Sequence, residues 1–166
     1  MLFFECDYNN GCHPEILKKL EETNSSFQPG YGDDEFSSKA KSCIRKACNC
    51  PDADIYFISG GTQTNEVVIS SLLKPWQGVI SAVTGHIQGH EAGAIENTGH
   101  KVLTVDQKEG KITASSVEKL VRNFYKDANH EHMIFPGMVY ISFPTEYGTI
   151  YKKKELQELY SVCREY

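Results

Sequence analysis

The sequence predicts an α/β fold built on a mostly parallel sheet. Three observations carry this. Short runs rich in β-branched and aromatic residues alternate with amphipathic stretches of helical period along the chain. Glycine- and proline-bearing turns separate them. The length of 166 residues suits one domain, or part of a larger one, with no internal repeat or low-complexity segment.

The elements follow in order. "HPEILKKLEETN" predicts a helix from Pro14, with proline at the first helical position and Ile16, Leu17 and Leu20 on one side. "FQPGYGDD" is a turn-rich loop. Asp33 or Asp34 then caps a second helix whose apolar face is Phe36, Ala40, Cys43, Ile44 and Ala47. "DIYFIS" is the first expected strand, and "TQTNEVVISSLLK" a helix stopped at Pro75. "GVISAV" is the second strand and "QGHEAGAIEN" a short helix ended at Gly99. "KVLTV" is the third strand. "ASSVEKLVRNFYKD" is a helix with Val117, Leu120, Val121 and Phe124 in register. "MVYIS" is the fourth strand, "FPTEYGTIY" a loop, and "KKKELQELYSVCREY" a helix. In that last helix Leu156, Leu159, Tyr160 and Cys163 form the stripe expected to pack on the sheet. No residue that closes a helix follows it, and an alternating pattern calls for another strand next.

Composition narrows the function classes. An apolar fraction of 40% with 23% charged residues is ordinary for a soluble globular chain. A net charge of −5 argues against nucleic acid or an anionic membrane as partner. No apolar run approaches the roughly 20 residues of a membrane span. The start, "MLFFECDYNN", lacks the basic and apolar regions of a signal peptide, so a cytoplasmic location is expected. The six cysteines include no C-x-x-C pair. Zinc held by "CNC" and a distant histidine stays open beside the simpler reading of reduced thiols. On that reading Cys43 is a small hydrophobe on its helix face.

Three stretches can carry chemistry. Ser59-Gly60-Gly61-Thr62-Gln63-Thr64 stands between an expected strand and a helix. Glycines let an anion approach the backbone, the first helical N–H groups point outward unpaired, and threonine hydroxyls add donors. This suits one phosphate. It has neither the Walker ending nor the dinucleotide spacing, and an unliganded strand-to-helix turn is the competing reading. "TGHIQGHEAGA" offers His86, His90 and Glu91. The two histidines are four apart, but Ile87 stands where a zinc H-E-x-x-H motif needs glutamate. A histidine after a strand end is also placed to stack on an aromatic ligand, or is an ordinary hydrogen-bonded loop residue. Glu146 follows the fourth strand, as a ligand-facing carboxylate or a backbone cap. Gly61, His86 and Glu146 all fall where open α/β sheets bind ligands, at the carboxyl ends of strands.

Taken together, "CDYNNGCHPEIL", "PGYGDDEF", "DIYFISGGTQTN", "VTGHIQGHEAGAIENTGHKVLTV", "MVYISFPTEYGTIY" and "ELYSVCREY" strongly resemble the threonine aldolases. These are the β-eliminating-lyase branch of the fold-type I pyridoxal-phosphate enzymes. The resemblance runs from about Phe4 to Tyr166. It implies the three-layer large domain of that fold type, incomplete at its C-terminal side. Residues 1–166 would then be one incomplete domain, an N-terminal segment plus the first part of the cofactor-binding domain. It implies pyridoxal 5′-phosphate as cofactor, with Gly61, Thr62 and Gln63 on its phosphate and His86 stacked on its ring. His86 and Glu146 are the implied catalytic residues, His86 helping to move the substrate's hydroxyl proton and Glu146 lying beside the substrate side chain. Asp7 is implied to skirt the substrate, and Tyr31 to reach a neighbouring subunit of a homodimer or homotetramer. Cys6 departs from the Ser or Asn expected there.

The implied reaction is cleavage of a β-hydroxy-α-amino acid, threonine or allo-threonine, to glycine and an aldehyde. In the resembled family the Asp-Gly-Ala-Arg motif, the Schiff-base lysine and the carboxylate-binding arginines come after the point where this chain stops. The expectation is therefore an aldolase-like chain truncated before its lysine and inactive alone. The alternative is a non-catalytic phosphate-binding or interaction module needing a partner chain. The family's sheet order also implies that the strand at Asp54–Ser59 lacks its neighbours here.

Overall fold

The computed structural model describes residues 8–166. The chain divides into two compact units, Met1–Phe57 and Ile58–Tyr166.

The first unit holds α1 (Pro14–Thr23) and α2 (Glu35–Ala47). Pro14 opens α1 as expected, and the His13 ring accepts the Glu15 N–H at 3.3 Å. Asp34, not Asp33, caps α2: its carboxylate accepts the Ser37 N–H at 2.7 Å and the Ser37 hydroxyl at 2.6 Å. Those two bonds hold its pKa below the usual aspartate value. At the other end Asn49 has φ 49°, the Cys50 N–H reaches the Arg45 carbonyl at 3.0 Å, and the Asn49 N–H reaches Lys46 at 3.2 Å. This is a Schellman closure, with asparagine at the left-handed position. "CNC" is thus a helix stop, and Cys48 and Cys50 are exposed.

Neither α1 nor α2 has a buried residue. Cys43 is exposed, correcting its expected place in a buried face. Helical period identifies an apolar stripe but does not supply the surface that covers it.

Residues 53–58 carry no strand, which corrects the reading of "DIYFIS". Tyr56 and Phe57 are exposed. β propensity alone forms no ladder; a strand needs hydrogen-bonding neighbours.

The second unit is a three-layer α/β sandwich. Its sheet has the order β2-β1-β3, all parallel, from β1 (Gln77–Ala82), β2 (Val102–Val105) and β3 (Phe135–Val139). Before β1 comes α3 (Gly61–Leu72), and between β1 and β2 lie α4 (His86–Gly89) and α5 (Ala94–Asn97). The one short helix expected there is split by Ala92 and Gly93, both left-handed at φ 51° and 76°. α6 (Ala114–Lys126) and a 3-10 turn at His130–His132 precede β3, and α7 (Lys153–Glu165) closes the unit.

Alternation along β1 separates two cores. Ile80 and Ala82 pack with Val105, Ile112, Val117, Val121, Tyr151 and Leu159 beneath α6 and α7. Val79 packs with Val102, Ile69, Leu73, Ile87 and Ile95 beneath α3, α4 and α5. On α7, Leu159 is buried and Leu156 and Val162 pack against the core, whereas Tyr160 is exposed, contrary to its expected place in the stripe.

β3 starts three residues before the expected strand and ends at Val139. Its pairing with β1 sets those limits, through a register shift beside Gly78. Pro136 is tolerated because β3 is an edge strand. Ser142 lies beyond the strand end.

Two ties fix the start of α7. The Tyr151 hydroxyl accepts the buried Ile112 N–H at 2.9 Å. Glu155 accepts Lys111 Nζ at 2.7 Å and the Lys152 N–H at 2.5 Å. These bonds, Lys111 first, hold the Glu155 pKa below the usual glutamate range. A folded-state pKa below the unfolded one gives stability that is full above the ordinary glutamate range. That stability fades as pH falls through the lower folded value. Glu155→Gln is accordingly expected to lower the urea midpoint at neutral pH. The gap from wild type should close in acid, below the folded-state pKa. A gap that stays constant down to pH 2 would contradict the tie.

Candidate functional site

The site lies where the parallel strands β1 and β3 end, next to the start of α3. Gly60 precedes α3 in extended backbone, and no side chain caps the helix. A Cβ at Gly60 or Gly61 would meet nothing within 4 Å, so this backbone stands open. Thr64 folds its hydroxyl back on the Gly60 carbonyl at 2.8 Å, and Gln63 accepts the Ser59 hydroxyl at 2.7 Å. The first N–H groups of α3 and the Thr62 hydroxyl remain for a ligand. A helix start with outward N–H groups and no acidic residue in its first turn fits an anion.

β1 delivers the next residue. After Ala82 the chain turns at Gly85, where a Cβ would lie 2.1 Å from Ser81 Oγ and 3.1 Å from the Ala82 carbonyl. Only glycine allows this approach, and it sets His86 at the mouth of the sheet. The His86 ring is 49% exposed, and its Nδ1 lies 2.8 Å from Oε1 of Glu91, whose side chain is fully buried. Asn65 of α3 donates its Nδ2–H to the same oxygen at 2.7 Å. The histidine is thereby tied to the helix that opens at Gly61. His90 flanks it with ring centroids 5.8 Å apart.

β3 contributes from the other side. The Tyr140 hydroxyl is hydrogen-bonded to Ser142 and Asn65, and the Ser142 hydroxyl donates to Glu146 Oε1. Burial raises the Tyr140 pKa, and the nearby carboxylates of Glu91 and Glu146 add to the rise against the two hydrogen bonds. The phenol therefore stays protonated at neutral pH. A continuous chain results: His86, Glu91, Asn65, Tyr140, Ser142, Glu146.

Among the described residues, the buried side-chain atoms without a hydrogen bond are Ser81 Oγ, Thr84 Oγ1 and Glu91 Oε2. All three belong to the segment that delivers His86. An unpaired buried polar atom costs about 1–3 kcal/mol, and such costs gather at functional sites. A cleft of about 800 Å³ lies elsewhere, beside the β2 edge and α6, and contains none of these residues. Its charged lining is Asp106, Lys119 and Asp127, whereas the unpaired buried polar atoms and the His86–Glu91 pair gather at the strand ends.

The structure thus joins His86 and Glu146 in one network and sets Gly61, Thr62 and Gln63 at the open start of α3. Tyr31 belongs to the first unit, fully exposed, with φ 64°. Asp7 lies outside the described residues. Sequence reasoning missed Asn65, Tyr140 and Ser142, and noticed Glu91 only as a metal-ligand candidate. Among the described residues no group of three or more His, Cys, Asp or Glu side chains is placed to hold a metal ion. The available signal was spatial: strand-end polar residues next to a buried acid.

Comparison with known proteins agrees with the α/β fold. The family model for β-eliminating lyases matches residues 24–166. A low-specificity L-threonine aldolase of Pseudomonas sp. (strain NCIMB 10558) is 30% identical over 98% of this chain and 46% of its own length. One from Pseudomonas aeruginosa is 29% identical, also over 46% of its length. The solved threonine aldolase of Leishmania major superposes with a TM-score of 0.89 at 44% identity, over 96% of this chain and 45% of that one. The chain spans about half the length of the curated relatives it matches.

Proposed function

The chain belongs to the β-eliminating lyase family, and from that premise we propose that it carries the phosphate-binding and ring-facing side of a threonine-aldolase-like site. The single observation that carries this is the Asn65–Glu91–His86 tie, which couples an open helix start to a half-exposed imidazole. The substrate class is a β-hydroxy-α-amino acid, threonine or allo-threonine, and the products glycine and an aldehyde. The fold resemblance to the Leishmania enzyme, at 44% identity, supports it.

Pyridoxal phosphate fits the residues present. Gly61, Thr62 and Gln63 would hold its phosphate through backbone N–H groups and the Thr62 hydroxyl. When bound, it supplies an electron sink for the carbanion left by Cα–Cβ cleavage. His86 would present its ring to the cofactor and its Nε2 to the substrate hydroxyl proton. Glu146, oriented by Ser142, would lie beside the substrate side chain. Tyr31, exposed and held in a left-handed backbone that costs a non-glycine residue about 1–2 kcal/mol, suits a contact with a neighbouring subunit in a homo-oligomer. Asp7 is proposed to border the substrate. No helix of the described residues is long and apolar enough to cross a membrane, and a cytoplasmic location is part of the proposal.

The 166 residues by themselves are expected to bind the cofactor without a covalent link and to release no glycine from threonine. Equilibrium dialysis with pyridoxal phosphate tests the cradle, with inorganic phosphate as competitor. Gly61→Asp, which sets a carboxylate at the anion position, should weaken binding about tenfold or more. No measurable binding by the wild-type chain would refute the cradle. Borohydride labelling of one lysine together with glycine release would overturn the expected inactivity. A second reading, docking onto another polypeptide, is favoured by the exposed, unpaired Tyr56 and Phe57. It predicts copurification with a second polypeptide that carries a Schiff-base lysine.

A further inference from the structure

We propose that Glu91 is a positioning residue that fixes the tautomer of His86, leaving Nδ1 protonated and Nε2 as the nitrogen that meets ligand. This deepens the reading of His86 as the ligand-facing base and rests on it for its catalytic meaning.

The donor count carries the argument. Glu91 Oε1 receives two contacts, from Asn65 Nδ2 at 2.7 Å and from His86 Nδ1 at 2.8 Å. A carboxylate oxygen accepts, so Nδ1 must carry a proton for the second contact to be a hydrogen bond. The ring's other nitrogen then holds the lone pair. Glu91 is buried while His86 is half exposed, so the exposed part of the ring is the part that offers Nε2. In water histidine favours the opposite tautomer, with the proton on Nε2. The protein reverses that preference by placing a buried acceptor behind the ring.

The rest of the network holds the acceptor in place. Asn65 sits on α3 and is hydrogen-bonded to Tyr140 as well as to Glu91. One Asn65 N–H goes to Glu91, and the other is available to the Tyr140 oxygen. Tyr140, kept protonated by burial, adjoins Ser142, and Ser142 donates to Glu146. Asn65 and His86 share Glu91 Oε1, while Ser142 donates to the other carboxylate, Glu146. The titratable groups beside His86 are Glu91, in contact at 2.8 Å, and His90, whose ring centroid lies 5.8 Å away.

Nitrogen-15 NMR of histidine-labelled chain, without cofactor or substrate, reads the tautomer directly. At a pH where the imidazole is neutral, His86 should show a pyrrole-type Nδ1 and a pyridine-type Nε2. Glu91→Leu removes the acceptor and should lower the Nδ1–H to Nε2–H ratio about tenfold or more. Glu91→Gln keeps a carbonyl oxygen able to take both donors and should retain the Nδ1–H form. The proposal is overturned if wild-type His86 carries its proton on Nε2, or if a folded Glu91→Leu chain keeps the wild-type pattern. Loss of the pattern in Glu91→Gln would overturn it too. Should the leucine variant not fold, the wild-type and glutamine spectra decide. Failure to bind pyridoxal phosphate would refute the cradle and leave the tautomer result standing, so the two readings fail separately.

Discussion

Gly110→Ala is expected to destabilise the chain by about 2–5 kcal/mol, the sum of left-handed backbone strain and overpacking. Gly110 has φ 79° and follows Glu109 at φ 53°, the pair of left-handed residues that closes the Lys108–Lys111 bridge. An added Cβ would lie 2.7 Å and 2.8 Å from the Thr145 side chain and 2.9 Å from Tyr147 Cδ2. Tyr147 is exposed and can swing away, but Thr145 cannot. Thr145 is buried and shares a 2.7 Å hydrogen bond with the Thr149 hydroxyl, which itself donates to the Glu109 carbonyl at 2.6 Å. The tight turn thus clamps the loop that presents Glu146. A urea melt measures the loss of stability, and side-chain NMR of Ser142 and Tyr140 reports whether the loop moves with it. A variant within about 0.5 kcal/mol of wild type would mean that the loop is not packed on this turn.

Ile80→Ala should cost about 2–5 kcal/mol, and Ile80→Val only about 0.5–1.5 kcal/mol. Ile80 is 2% exposed in the central strand and joins α6 to α7 through Val117, Val121 and Leu159. Strands on both sides hold its backbone, so the cavity left by truncation has little freedom to collapse. Tyr160→Ala on exposed α7 surface is the control, with a change of at most about 0.5 kcal/mol. Equal effects at Ile80 and Tyr160 would contradict the two-core arrangement.

Legibility in the sequence differed by kind of feature. Helix starts were readable because their signals are local: Pro14 opens α1, an aspartate of the Asp33–Asp34 pair caps α2, and α6 spans almost the expected residues. β1 and β2 were readable because each pairs along its whole length. "DIYFIS" and "MVYIS" misled for one reason. Both are β-prone, but a strand's limits are set by its partners. The first has none in these residues, and the second meets β1 earlier than its β-branched run suggests. The apolar stripe of α2 was equally visible and remains uncovered.

The same division holds at the site. Glycines, an outward helix start and a strand-end histidine are local properties, and residue order alone marked Gly61, His86 and Glu146. Asn65, Glu91 and Tyr140 are separated by up to 75 positions in the chain, and nothing local relates them. Local chemistry determined the α/β alternation, the anion-suited turn and the candidate histidine. The tertiary structure alone decided which strands exist, which faces are buried and which acceptor meets Nδ1 of His86. Those three outcomes depend on hydrogen-bond partners brought together across the sheet, and a sequence motif does not contain its partner.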